Sequence, residues 1–86
     1  MTYWVGIPPS VEREIAALTG QVLNRIHKKI IALSTNPRPS GTKKLAGGLY
    51  WRVRTGDYRI VYEIDDKAHS ILLTRVRHRR DAYRGL

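Results

Sequence analysis

The chain is predicted to fold as a small α+β domain with element order β-α-α-β-β-β, its mainly antiparallel sheet covered on one face by a helical hairpin. Three observations predict this. Apolar residues at Val11, Ile15, Leu18, Val22, Ile26, Ile30 and Leu33 recur at spacings of three and four, which marks one helical face. Two alternating runs, from Tyr50 to Arg54 and from Tyr58 to Tyr62, flank Thr55, Gly56 and Asp57 and read as a β-hairpin with a short turn. A further β-rich run, Ser70 to Val76, follows turn residues at Asp65, Asp66 and Lys67. With 86 residues there is room for one core, so residues 1–86 are read as a single domain.

Each element has a local justification. Thr2 to Ile7 carries β-formers and reads as the first strand, ended by Pro8 and Pro9 because proline has no N–H to give a ladder. Ser10 is the expected N-cap of the first helix, with Glu12 and Glu14 placed to favour its positive end. Thr19 and Gly20 interrupt the apolar stripe, which predicts two helices, about 11–18 and 21–34. Asn36 to Gly41 is a loop by composition, and Lys43, Lys44 and the Gly47-Gly48 pair are read as its continuation. No strand precedes that glycine pair and no helix follows it, so it is not a phosphate-binding P-loop. The continuous apolar run around Ile71 to Leu73 suits an interior strand. The closing segment, Arg77 to Leu86, is too charged for a core strand.

Charge then narrows the function. The formal net charge is +9 and the sequence pI is near 10.5, a surface that attracts polyanions, nucleic acid first. Arginine outnumbers lysine eleven to five, and eight of the eleven lie from Arg52 onward. Solubility needs no such bias, whereas a planar guanidinium grips phosphate oxygens in pairs. Alternation puts Arg52 and Arg54 on one strand face, and Arg59 joins them if the register allows. The chain has no cysteine, which excludes disulfides and thiolate metal sites and fits a cytoplasmic protein. His27, His69 and His78 lack metal-ligand spacing, and the carboxylates form no pair, so neither a metal nor another cofactor is expected. No apolar run approaches the roughly 20 residues of a membrane span, and no signal-peptide pattern opens the chain.

Several stretches, taken in order, resemble a known family. Lys44-Leu45, then Tyr50 to Arg54, then Gly56 to Tyr62, then Val76 to Tyr83 with its V-x-H-R run and D-x-Y ending, are similar to the bacterial RelE/ParE toxin superfamily over nearly the whole chain. The resemblance implies a RelE-like microbial RNase fold and a toxin of a type II toxin–antitoxin pair. For the RelE type it implies a ribosome-dependent endoribonuclease that cleaves messenger RNA in the A site and so inhibits translation. The ParE type shares the fold and is known for inhibiting DNA gyrase without nuclease activity. Arg52 and Arg54 fall where the RelE type carries paired basic residues, usually lysines. Arg59 matches the arginine of its YR motif, Arg79 the arginine after V-x-H, and Tyr83 its C-terminal tyrosine. The implied partners are a cognate antitoxin protein, messenger RNA and the ribosome with its rRNA.

The chemistry can be tested on the residues themselves. RNA is cut without metal when its 2′-OH attacks the adjacent phosphorus, which needs in-line positioning, neutralisation of a dianionic phosphorane, and proton transfer. Arg52, Arg54, Arg59 and Arg79 suit the second task, with Lys43, Lys44, Arg77 and Arg80 as further RNA contacts. Tyr83 can stack on a splayed nucleotide or bond to it. Arginine is a poor base, so His78, the only side chain near the cluster that ordinarily ionises near neutrality, or Tyr83 is expected to move the proton. The alternative is that His78 only positions RNA or packs.

Overall fold

A computed structural model describes residues 2–85. Its elements are β1 (Trp4–Gly6), α1 (Pro9–Ala16), α2 (Gly20–Thr35), β2 (Lys43–Lys44), β3 (Tyr50–Thr55), β4 (Tyr58–Asp65) and β5 (Ser70–His78). The five strands form one sheet in the order β1-β5-β4-β3-β2. All neighbours are antiparallel except β1 and β5, which run parallel. The α+β architecture and the single-sided helical hairpin are as the sequence predicts. No helix among the described residues is long and apolar enough to cross a membrane.

Three local expectations are corrected. The first helix begins at Pro9 with Pro8 in the cap position and no side-chain cap, so Ser10 is not the N-cap. A proline at the first helical position sacrifices nothing, because its missing N–H would have had no helical partner. The Pro8 carbonyl accepts from the N–H groups of Val11 and Glu12, both at 2.9 Å. Lys43 and Lys44 form a two-residue edge strand on β3 rather than a loop. The last strand runs two residues beyond Val76, to His78.

The core lies between helices and sheet. Val11, Ile15, Ile26, Ile30 and Leu33 from the helices meet Val53, Ile60, Tyr62, Ile71, Leu73 and Val76 from the strands. Tyr62 is fully buried there, and its hydroxyl donates to the Pro37 carbonyl at 2.7 Å, fixing the long loop to the sheet. Burial pushes the Tyr62 phenol above its ordinary ionisation range. Outside the core, Asp66 accepts from the Tyr3 hydroxyl at 2.7 Å and from both terminal nitrogens of Arg38, whose guanidinium lies 4.7 Å from the Trp51 ring centre. Those contacts tie the start of the chain to the β4–β5 turn and the 36–41 loop. They lower the Asp66 carboxyl to about 2, with the Arg38 hydrogen bonds the larger cause.

Two backbone features place the site. The β3–β4 hairpin turns in two residues, with Thr55 paired to Tyr58 and Gly56 at φ 60°, a positive φ at the first loop position that glycine alone adopts cheaply. The second is a bulge. Val61 pairs with Arg75 but Tyr62 pairs with Leu73, so Thr74 is an extra residue on β5. The Thr74 hydroxyl donates to the Val61 carbonyl at 2.9 Å at this irregularity.

Candidate nucleic-acid interface

The bulge decides which side chains share a face. Before it, Ile71 and Leu73 point into the core; after it, Val76 and His78 take that side, and Arg75 and Arg77 turn to the face without helices. Register then stacks cations in two rows across the open face. Arg54 pairs with Arg59, and Arg59 pairs with Arg77. Alongside runs Lys43, Arg52, Val61 and Arg75, each paired to the next. Side chains directly opposite on neighbouring strands sit about 5 Å apart, where like charges repel.

The protein offsets that repulsion for most of the row. Arg52 is 6% exposed and donates from Nη1 to the Gly41 carbonyl at 3.1 Å. Arg59 Nη1 donates to the carbonyls of Gly56 and Tyr58, both at 3.1 Å, and so closes over its own turn. Arg77 is paired through Nε with Glu14 of α1. Arg75 donates to the carbonyls of Ala82, at 3.3 Å, and Arg84. Arg54 is exposed and makes no side-chain hydrogen bond among the described residues. It borders a pocket of about 210 Å³ lined by Ser40, Gly41, Lys43, Arg52 and Val53. An anion entering there meets one unengaged guanidinium and one held in place, with Lys43 at the edge.

The C-terminal turn adjoins this face. The Arg79 N–H donates to the Asp57 carbonyl at 2.7 Å, which docks the segment beside the hairpin turn. Ala82 is fully buried, while Arg79, Arg80 and Tyr83 are exposed, Tyr83 by 42%. The structure thus brings Arg52, Arg54, Arg59 and Arg77 onto one face and Arg79 to its turn end. Lys44 lies on the other face, paired with Trp51 and 5.7 Å from its ring centre. His78 differs from the expectation that it stands among the arginines. It lies on the helix side, edge-on to Tyr58 at 5.6 Å, with Nδ1 accepting the Arg80 N–H at 3.2 Å.

Three contributors were not singled out in the sequence. Glu14 acts through Val76 and Arg77, 62 and 63 residues on, and Arg75 through the carbonyls of Ala82 and Arg84, 7 and 9 residues on; no local spacing signals either contact. Arg25 of α2 brings Nη1 to within 3.8 Å of where a Cβ on Gly56 would sit, adding a cation behind the hairpin turn. Among the described residues no three His, Asp or Glu side chains converge as metal ligands would.

Fold and site together define a small basic α+β protein with arginines gathered in register on the face of the sheet that the helices leave open. A family model described as the ParE toxin of type II toxin–antitoxin systems matches residues 7–83. Toxin RelG of Mycobacterium tuberculosis is 32% identical over 88 residues, covering 98% of this chain and 99% of the relative. The chain belongs to the ParE/RelE family of type II toxin–antitoxin toxins. The archaeal RelE–RelB complex from Pyrococcus horikoshii superposes with a TM-score of 0.82 at 28% identity, covering 95% of this chain and 100% of that one. The isolated RelE toxin of E. coli shares the fold, with a TM-score of 0.76 at 19% identity and coverage of 88% and 83%.

Proposed function

We propose that this toxin is a ribosome-dependent endoribonuclease that cleaves messenger RNA by attack of the 2′-OH on the adjacent phosphorus. The observation carrying the reading is the row Arg54, Arg59 and Arg77 beside Arg52 on the face without helices. Arg54 stands in register with Arg59 and has no side-chain partner among the described residues, so an anion over the pair would offset a repulsion that the protein leaves open there. In the reaction the new bond is between O2′ and phosphorus, the bond to the 5′-oxygen breaks, and the products are a 2′,3′-cyclic phosphate and a 5′-hydroxyl end. Arg54 and Arg59 stabilise the phosphorane charge, Arg52 and Lys43 hold the flanking phosphate, and Arg79 approaches from the C-terminal turn. Tyr83 stacks on a splayed base or hydrogen-bonds to it. Arg80, outside the rows, contacts RNA at the rim, whereas Lys44 faces away from it beside Trp51.

The site is shallow, so the ribosome supplies much of the in-line positioning that a deeper pocket would give. In vitro translation with the messenger ends mapped tests this reading: wild-type protein produces discrete cleavage within codons, and ribosome-free RNA is cut poorly. The matching family model is described as a ParE toxin, and the resemblance to the ParE type implies one alternative target, DNA gyrase. Intact messenger together with blocked supercoiling would establish that target instead.

A cognate antitoxin partner belongs to the same reading, since the P. horikoshii relative is seen as a RelE–RelB complex. With a charge of +9 the chain calls for an acidic partner. A groove of about 400 Å³ between the helices, lined by Ile7, Ile15, Ala16, Leu23, Ile30 and Ile31, suits the apolar side of an amphipathic antitoxin segment.

A further inference from the structure

We infer that His78 is a positioning residue: its Nδ1 fixes the turn that presents Arg79, Arg80 and Tyr83, and it takes no proton from the substrate. The inference rests on the ribonuclease reading above. A general base must come within hydrogen-bond reach of the proton it removes. The bulge at Thr74 puts His78 on the same side as Val76, behind the sheet from Arg54 and Arg59.

The ring has a different task there. Nδ1 accepts the Arg80 N–H at 3.2 Å, so a neutral imidazole carries its proton on Nε2. The same turn is closed by the Asp81 N–H donating to the His78 carbonyl at 2.9 Å and by the Arg79 N–H donating to Asp57 at 2.7 Å. The imidazole is steadied by Tyr58, whose ring meets it edge-on at 80°. Three successive amides, those of Arg79, Arg80 and Asp81, thereby have acceptors, and one of the three acceptors is a side chain. Removing it releases the middle amide of the turn from which Arg79 and Tyr83 reach the substrate.

The acceptor's place on the side chain gives the test. Asparagine carries an oxygen at the same distance along the chain as Nδ1; glutamine carries one nearer the place of Nε2; alanine carries none. Messenger cleavage on ribosomes is measured for wild type, His78→Asn, His78→Gln and His78→Ala, and Arg80 amide exchange is followed in each. The expected result is that His78→Asn keeps cleavage within about threefold of wild type. His78→Ala and His78→Gln lose up to about 10²-fold, as small misplacements of reacting groups do. Arg80 exchange is slow in wild type and His78→Asn and fast in the other two. Cleavage lost equally in His78→Asn and His78→Ala, with the Arg80 amide still protected in His78→Asn, would overturn the inference and return His78 to the chemistry. If wild type cuts no messenger, the ribonuclease reading fails on its own. The exchange pattern then decides the Nδ1 contact alone, and protection unchanged in His78→Ala removes it.

Discussion

Glu14 joins the first helix to the strand that carries the C-terminal arginines: its Oε1 accepts the Val76 N–H at 3.0 Å, and its Oε2 accepts from Arg77 Nε. β1 covers β5 only from Ser70 to Leu72, so the far end of β5 depends on this carboxylate for an edge partner. Glu14→Ala is expected to lower stability by about 1–2 kcal/mol, since a hydrogen bond to a charged group is lost and an N–H is left unpaired. Glu14→Gln keeps the bond to Val76 and is expected to cost less than half as much. Urea denaturation of the two variants checks the order, and equal losses would place the effect in the ion pair alone.

Arg52 and Arg54 share a strand face and a pocket but differ in burial and in partners. Arg54 is exposed and unengaged, so Arg54→Ala is expected to leave the melting temperature within a few degrees and reduce cleavage about 10²–10³-fold. Arg52 is buried and holds Gly41, so Arg52→Ala is expected to lose stability as well. Calorimetry beside a cleavage assay separates them. A fully stable Arg52→Ala would show that the Gly41 contact contributes nothing.

Asp66 supplies an acid-sensitive clasp. Its carboxyl is held at about 2, below its value in an unfolded chain, so its contribution is full above pH 4. That contribution is lost as pH falls from about 4 towards 2, where protonation releases Arg38 and Tyr3. Asp66→Asn is expected to show a shallower loss of stability over that window than wild type. Paired denaturation curves at pH 5, 4, 3 and 2 measure the difference between the two.

Tyr62 couples the core to the loop. Tyr62→Phe keeps the ring and removes the bond to the buried Pro37 carbonyl, at an expected cost of about 1–3 kcal/mol. In a domain of this size each kcal/mol corresponds to roughly 4–8 °C in melting temperature, so the shift is readily read by calorimetry. No shift would mean that water replaces the hydroxyl at no cost.

The order of elements was legible because periodicity is a local property: the stripe from Val11 to Leu33 and the runs about Gly56 each declare themselves within a few residues. The sequence left the partner of Arg54 to the register, because it did not show where the hairpin loop begins; the two-residue turn of the structure sets that register and pairs Arg54 with Arg59. The first helix start was missed because Ser10 offers a capping hydroxyl while Pro8 and Pro9 settle the start through backbone geometry. The Lys43–Lys44 strand was missed because two residues show no period at all. The position of His78 was missed for a sharper reason. Counting by twos from Leu73 carries His78 to the open face, and only the pairing with β4 reveals the extra residue that reverses the count.

That extra residue is one a regular strand could do without. With Thr74 deleted, plain alternation from Leu73 would still turn Arg75 and Arg77 to the open face and Val76 and His78 to the helix side, opposite the same residues of β4. What Thr74 adds is a bend and extra twist, held by its hydroxyl on the Val61 carbonyl. It sets the angle between the half of β5 that lies beside β1 and the half that carries the arginines, so shortening the strand there would straighten the arginine rows without removing a single charge from them.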